Sequence, residues 1–565
     1  MKKPAAITGH GFFLGSSTKG SSHFSVHSDD YICVLAQGAV MENNGQIPEQ
    51  CDVVVIGAGA GGLTAAGLLA QAGLKTVLFE SDTQVGGYLA GFQRSGFHFN
   101  TSIEWLNQCA PGGFVHNIFR YLGDDFPECP PMRNIRRFKS DTFDYLLSSN
   151  PGELREALIR DFPGDERGIL AFFRDAEHLG ERLRLLNQKA VGQETMAWHE
   201  KLRYGLKMLF WSLPIIRYVR TPIDKGLRNY FKCGAQNIFN SQESLMAVMV
   251  SIAWASTGNM QSSPRGGSKA LAQWLHDRIV TAGSRVVLNQ RVERVMLDDR
   301  QQACGVVLSD GRRVNARFVI AACDLLNLYE KMLPAGVISE RLLKRLRNAD
   351  LYHSYFSIFL GLTCDPATLG FGEETLNLTR SDVTRAEQSG GDPHLTLITV
   401  NAPSLRDPSL APPGKGTLTI HCPAYLDDAE QWYTGAGLER GEAYRFYKES
   451  FANILLDRVE ASVAPGLRQY IEVMEIATPV TFWRYTGNTK GSISGAKPTG
   501  KNIRAGIAHY RTPVKNLLVG GHCGEYGGGV PMAVKAGTNA SLIVMKTLMP
   551  SAYRQLRDVL DGPAN

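Results

Sequence analysis

The sequence predicts an α/β protein: a parallel-sheet domain assembled from three separated stretches of chain, with an α+β domain built from the two insertions between them. Three observations predict it. A β-branched run, Asp52-Val-Val-Val-Ile56, leads directly into a glycine-rich turn and then an apolar helix. The same α/β character returns near residues 268–320 and again near 516–548. Between these blocks lie two long stretches, 120–260 and 326–475, richer in aromatics, Leu and Met.

Taken in order, residues 1–48 are rich in Ser, Gly and His and show little periodicity, so they are read as a disordered extension; Lys2 and Lys3 precede only a broken apolar stretch, a poor secretory signal. Asp52–Ile56 is the first strand. Gly57-Ala-Gly-Ala-Gly-Gly62 follows, then a helix over Leu63–Ala72 and a second strand, Lys75–Phe79, ending at Glu80. Ser268–Ala282 reads as an amphipathic helix, Arg285–Val295 as a strand, and Gly305–Leu308 with Arg313–Ile320 as a hairpin turning through Asp310-Gly311. Asn516–Gly520 is again a strand, followed by a glycine-rich loop and a helix over Met532–Leu548. Within the insertions, Tyr355–Leu362, Leu395–Val400 and Thr417–His421 read as strands. The boundaries that follow are 49–119, 261–325 and 476–550 for the first domain, 120–260 and 326–475 for the second, and 551–565 for a C-terminal tail.

Composition narrows the function classes. The 565 residues carry a net charge of +6, with 44% hydrophobic and 20% charged residues, an ordinary balance for a globular protein. The basic excess is spread along the chain, so nucleic acid is not an expected partner. Ten cysteines lie far apart, with no C-x-x-C pair and no Cys/His cluster at ligand spacing, so no metal site is expected. No run of about 18 uncharged apolar residues exists, so no transmembrane helix is expected.

The glycine turn carries the chemistry. In G-x-G-x-x-G between a strand and a helix, Gly57 permits the tight turn, Gly59 lets backbone N–H groups approach a pyrophosphate, and Gly62 lets helix and strand pack closely. The backbone of Ala60 and Gly61 lies in the same first turn, whose partial positive charge faces the diphosphate. Glu80, at the end of the second strand, is placed to accept hydrogen bonds from the ribose hydroxyls. Rossmann-like nucleotide binding follows, but the motif alone does not separate FAD from NAD.

The residues after Glu80 do. Ser81-Asp-Thr-Gln-Val-Gly-Gly-Tyr88 resembles the second glycine pair of the phytoene desaturase, amine oxidase and GDI superfamily, which implies FAD, with Ser81, Gly86, Gly87 and Tyr88 beside its diphosphate and ribityl chain. That superfamily often has Arg or Lys where this chain has Tyr88. Further motifs resemble the branch of phytoene desaturases, carotene isomerases and retinol saturases: Gly91–Asn100, in which Asn100-Thr-Ser102 replaces the family's D-x-G; Arg265-Gly-Gly-Ser-Lys-Ala-Leu-Ala272; Asp407–Gly414 with Thr417–Ile420; and Thr478-Pro479 with Tyr485–Gly491. The resemblance implies that the backbone of Val292 meets the adenine. Asn516-Leu-Leu-Val-Gly-Gly-His-Cys-Gly-Glu-Tyr-Gly-Gly-Gly-Val530 is similar to the family's L-x-V-G-x-x-x-x-P-G-G-G loop. It implies that Gly521 lines the cofactor and that Gly528, Gly529 and Val530 face the isoalloxazine N1/O2 edge, where a positive helix end favours the reduced anion. Tyr526 replaces the usual Pro and Glu525 adds a carboxylate.

The implied activity is an FAD-dependent oxidoreductase acting on carbon–carbon bonds of a long apolar polyene or isoprenoid, by desaturation, saturation or isomerisation. Because the cofactor carries the hard step, few acid/base residues are expected; Glu525, Glu104 and His116 are the candidates, each on or after a glycine-containing loop. Lys201–Arg217 alternates basic and large apolar residues, the pattern either of a segment lying in a bilayer interface or of a core-packed amphipathic helix pair with a solvated basic face. A cytoplasmic protein is expected, and only the resemblance, through its membrane-drawn polyene substrates, favours contact with a membrane face. Leu245–Trp254 is expected to pack in the core. Two other functions share the fold. A flavin amine oxidase needs an aromatic pair that the C-terminal loop lacks. A non-catalytic GDI-type protein is opposed by the intact set Gly57, Gly59, Gly62 and Glu80.

Overall fold

The computed structural model describes residues 47–187, 190–239, 244–427 and 429–561; the extension expected over 1–48 falls almost wholly outside them. Three consecutive valines have β-branched side chains that fit a pleated surface buried on both sides, and they form β1 (Gln50–Ile56). The chain continues through β2 (Thr76–Phe79), β3 (Phe92–Arg94), β4 (Phe97–Phe99), β5 (Trp105–Leu106), β6 (Asn134–Lys139), β7 (Asp144–Ser148), β8 (Gln261–Ser262) and β9 (Arg285–Val287). It then forms β10 (Val292–Leu297), β11 (Ala303–Leu308), β12 (Arg313–Ala321), β13 (Ser354–Leu362), β14 (Thr375–Leu378), β15 (Ile398–Asn401), β16 (Gly416–Ala424), β17 (Ile471–Ala477) and β18 (Leu517–Val519).

Two seven-stranded sheets organise these strands. The first runs β10-β11-β12-β1-β2-β9, with β18 pairing the C-terminal half of β12. Strands β12, β1, β2, β9 and β18 are parallel, while β10 and β11 are antiparallel additions. Val53 and Val55 face a core made with the helices Ala60–Gln71, Phe114–Leu122, Ser268–Thr281 and Gly529–Leu548; Val54 and Ile56 face the opposite core. The second sheet runs β17-β13-β16-β15-β14-β6-β7 and packs one face on the helix Glu442–Ser462. This is the expected α/β architecture: a Rossmann-like sheet assembled from distant segments, and a mixed sheet from the insertions.

Several local expectations are corrected. Arg285–Val295 is not one strand: Asn289 adopts φ +54°, and the chain leaves β9 at one edge of the first sheet to enter β10 at the other. Both glycine-led helices begin earlier than expected, at Ala60 and Gly529. Residues 325–347, of which all but Leu325 were assigned from sequence to the second insertion, form two helices whose Leu325, Leu328, Tyr329 and Leu346 pack into the core of the first sheet. Residues 550–561 are a helix with Leu556 and Leu560 buried, where a tail was expected. Leu245–Ser256 is a core helix, as its composition suggests.

Candidate functional site

The four glycines of the first turn are there for different physical reasons. Gly57 sits at φ +97°, a conformation that side chains disfavour. A Cβ on Gly62 would lie 1.9 Å from the Gly57 carbonyl oxygen, and one on Gly61 would lie 2.3 Å from the Gly520 carbonyl. Those three are demanded by the chain itself, Gly61 for packing the helix against the β18 loop. Gly59 is not: its φ of −72° is ordinary, and a Cβ there would meet nothing within 4 Å. The protein needs no glycine at 59, so the open space beside it points to a ligand that approaches the backbone.

The second glycine pair folds against this turn. Gly86 N–H donates to the Ala58 carbonyl at 2.8 Å, and Gly59 and Gly86 form an isolated parallel bridge. Gly86 and Gly87 both have positive φ, and Gly87 is exposed. Tyr88 does not stand in for a basic contact. Its hydroxyl donates to the Ser492 carbonyl at 3.0 Å, its ring packs 5.9 Å from Phe482, and burial pushes its pKa up to about 12.

Glu80 is held by the turns it adjoins. Its carboxylate accepts from the Ala58 N–H at 2.7 Å and from the Asp82 N–H at 2.9 Å, with the exposed Ser81 hydroxyl at 3.2 Å. Lone pairs remain for further donors. The Gln290 N–H donates to the Glu80 carbonyl, which brings Val292, at the start of β10, to the same corner.

At the other end, Gly520 N–H donates to Ala321 and a Cβ on Gly521 would press on Ala322, so the loop after β18 lies over the end of β12. The helix Gly529–Leu548 then starts at Gly528, which like Gly59 offers no side-chain cap. Two uncapped helix N-termini, each leaving first-turn N–H groups and positive dipole charge, meet here, since a Cβ on Gly61 would lie 2.9 Å from the Ala533 carbonyl, and the open space beside Gly59 is the cleft they border. Gly527 and Gly529 are exposed there, with Val530 buried beneath them. The helices touch backbone to backbone: a Cβ on Gly537 would lie 2.2 Å from the Gly61 carbonyl. This donor set, with an acidic residue at the strand end, fits a dinucleotide with a flavin.

The three acid/base candidates are not brought together. Glu525 accepts from the Tyr510 hydroxyl and pairs with Lys535 at 3.2 Å, so its carboxylate is already engaged. His116 stands edge-on to Phe126 at 5.4 Å, beside the core beneath the first sheet, its Nδ1 buried without a hydrogen-bond partner among the described residues. Glu104 is buried 3.8 Å from His421 Nε2, and neither carboxylate oxygen has a hydrogen-bond partner among the described residues.

His421 belongs to the second sheet, whose two faces differ. Phe356, Ile358, Leu360, Leu418 and Ile420 face the apolar core. The alternate residues Ser357, Phe359, Thr419 and His421 face the other way; Phe359 packs on Phe92 at 5.1 Å and Phe99 at 6.0 Å, on the hairpin that follows the second glycine pair. Ser357 Oγ lies 2.7 Å from His421 Nδ1. Sequence reading missed this face, and also Cys323 and His522 in the cleft. Burial pushes the Cys323 thiol up to about 12 and holds His522 below the usual imidazole range, yet both keep accessible surface. Their positions just after β12 and β18 are the signal that was available, since ligands gather at the C-terminal ends of parallel strands.

Comparison with known proteins is consistent with this geometry. Residues 60–545 match the family described as flavin containing amine oxidoreductase. All-trans-retinol 13,14-reductase of Danio rerio is 25% identical, over 94% of this chain and 91% of that protein. The lycopene-forming phytoene desaturase of Pseudescherichia vulneris is 24% identical, over 87% of this chain and 98% of its own. Among solved structures, an oxidoreductase from Methanosarcina mazei superposes with a TM-score of 0.54 at 18% identity, covering 88% of this chain and 100% of that one.

Proposed function

The chain belongs to the flavin-containing amine oxidoreductase family and is an FAD-dependent oxidoreductase, and from that premise we propose that it saturates, desaturates or isomerises a carbon–carbon bond in a long apolar polyene or isoprenoid. What carries this reading is the reach of the likeness. The retinol reductase and the phytoene desaturase align over 94% and 87% of this chain, so the likeness takes in the second sheet, which faces the cleft, as well as the nucleotide-binding segments. The bound flavin supplies hydride chemistry; the chain's own residues bind, orient and exclude water.

Gly57, Gly59, Ala60 and Gly62 hold the diphosphate at the first helix, and Glu80 the ribose, with Val292 at the adenine. Gly86 and Gly87 flank the diphosphate, while Gly528, Gly529 and Val530 meet the flavin ring. Residues 354–477 with 134–148 and the helices around 151–256 form the substrate domain. Phe92, Phe97, Phe99 and Phe359 give it an apolar wall beside the second glycine pair.

A membrane supply route suits such a substrate, and the helix Trp198–Arg220 supports one. Trp198, Leu202, Leu206, Phe210 and Leu213 recur at near-helical spacing and are all exposed, Trp198 by 77% and Phe210 by 70%. They lie on the side away from Tyr204, Ile215 and Tyr218, which pack inward. Exposed Lys201, Arg203 and Lys207 flank the stripe, the charge complement of an anionic lipid surface. No described helix is long and apolar enough to cross a membrane, so the contact is peripheral.

The direct test is chromatographic product analysis after incubating purified protein with all-trans-retinol, a poly-cis carotene and a saturated isoprenoid. A new polyene product whose formation requires bound flavin is expected. Turnover of amines with peroxide release, and of no polyene, would overturn the reading.

A further inference from the structure

The cleft-facing side of the second sheet carries an arginine that no acidic group among the described residues neutralises. In the row Phe359, Thr419, Asn401, Thr375, Arg136, successive residues pair across β13, β16 and β15 and across β14 and β6, and the Thr375 hydroxyl joins β14 to β15 by donating to Asn401 Oδ1 at 2.8 Å, so their side chains share one face. Arg136 closes this row. Its neighbours on β6, Arg137 and Lys139, both reach Asp144 on β7. Among the described residues Arg136 makes no side-chain hydrogen bond, its Nε is buried without a partner, and no carboxylate lies within 4.0 Å. Burial weakens its hold on its proton, with Tyr355 the group that opposes this. Yet Arg136 is not sealed; it keeps accessible surface although protein surrounds it.

Tyr355, from β13, leans over the same face. It stacks on His421 with ring centres 5.4 Å apart, is likewise enclosed yet accessible, and its hydroxyl has no hydrogen-bond partner among the described residues. Two donors unused among the described residues, each enclosed yet accessible, thus lie on one face of the sheet, one of them permanently charged. A guanidinium cannot lose its proton in a protein, so an interior one without a counter-ion is unfavourable until an anion arrives. Its planar fork matches a carboxylate in two parallel hydrogen bonds. One guanidinium balances one negative charge, which fits a carboxylate better than a diphosphate.

We infer that Arg136 and Tyr355 form an anion subsite for the carboxylate end of a lipophilic substrate, so that the preferred ligands are polyene or long-chain carboxylic acids and not the matching alcohols or hydrocarbons. This rests on the reading of the cleft as a site for apolar chains, and names the end group that anchors them. The bound acid would run from Arg136 across the polar ladder toward Phe359, Phe92 and the glycine pair.

The test uses the purified flavoprotein and two probes that differ only at the end group, retinoic acid and retinol, with binding read from the perturbed flavin spectrum. Wild-type protein is expected to bind the acid about tenfold more tightly or better, the worth of one charge-assisted pair. The acid-to-alcohol ratio should fall to about one in Arg136→Met and partway in Tyr355→Phe, with Arg136→Lys retaining part of it because the charge remains. Equal binding of both probes by wild-type protein would overturn the subsite and leave the lipophilic cleft standing; this comparison needs no variant to fold. Binding of neither probe by flavin-loaded protein would overturn both. A full acid preference in flavin-loaded Arg136→Met would also overturn the subsite.

Discussion

Gly59→Val separates what the fold needs from what the cofactor needs. The backbone at 59 is extended, and a Cβ would meet nothing within 4 Å. Replacing Gly at an N-cap position costs the helix roughly 1 kcal/mol, which leaves the Tm within about 4 °C of wild-type apoprotein. The added side chain fills the space through which a diphosphate reaches the first-turn N–H groups. Losing two charge-assisted hydrogen bonds at about 1.5–3 kcal/mol each removes about 3–6 kcal/mol, or two to four orders of magnitude in FAD affinity. The assay is the flavin-to-protein absorbance ratio after purification and dialysis, with circular dichroism to verify folding. A folded, colourless Gly59→Val is expected. Gly62→Ala should behave differently: its Cβ would lie 1.9 Å from the Gly57 oxygen, so it loses fold before it loses flavin. A folded Gly59→Val that keeps stoichiometric flavin would refute the assignment of open space at 59 to the diphosphate.

Three other outcomes follow from the structure. Leu206→Glu with Phe210→Glu should abolish co-sedimentation with anionic liposomes, and charge reversal at Lys201, Arg203 and Lys207 should weaken it; unchanged binding in both would assign the stripe another role. Gly537→Ala would place a Cβ 2.2 Å from the Gly61 carbonyl, so a loss of about 1–3 kcal/mol in thermal unfolding is expected, and an unchanged Tm would contradict the close helix contact. Burial holds His509 below its ordinary value while its Nε2 meets the Tyr329 hydroxyl at 2.8 Å. The folded state therefore binds fewer protons than the unfolded one in the window below about pH 6.5, so this stabilisation is complete above that pH and is lost as pH falls. The Tm difference between wild type and His509→Gln should shrink on acidification from about pH 7.5 to pH 5.5; a difference that grows would reverse the sign.

The parts of the fold legible in the sequence were those written locally. Val53–Val55, the Gly57–Gly62 turn and Glu80 lie within one short stretch, where spacing and side-chain type alone place strand, turn and helix. The polar triplet Asn289-Gln-Arg291 interrupts the apolar run, but nothing local says that positive φ at Asn289 sends β9 and β10 to opposite edges of the sheet. The helices at 325–347 were not read from the sequence, and even a helical stripe would not say which of two cores it will meet. The helix at 550–561 was missed because only the small Ala552 and two leucines, Leu556 and Leu560, mark its buried side. Glu525 drew attention as an extra carboxylate in a glycine loop; Tyr510 and Lys535, which engage it, become neighbours only on folding. Gly61 was grouped with the cofactor by its motif, yet its missing side chain serves Gly520 and Gly537. Arg136 and Tyr355 lie far apart in the chain, and nothing in either local sequence marks them as partners.

The central claim is that the cleft between the two uncapped helices holds a flavin that exchanges electrons with an apolar polyene. It is tested most directly by recording the visible spectrum of the purified protein, oxidised and then chemically reduced, before and after anaerobic addition of a polyene. The account predicts flavin bands that bleach or return as the polyene is consumed or formed, or that shift on its binding. Flavin bands indifferent to every polyene, or protein that cannot be reconstituted with FAD, would contradict it.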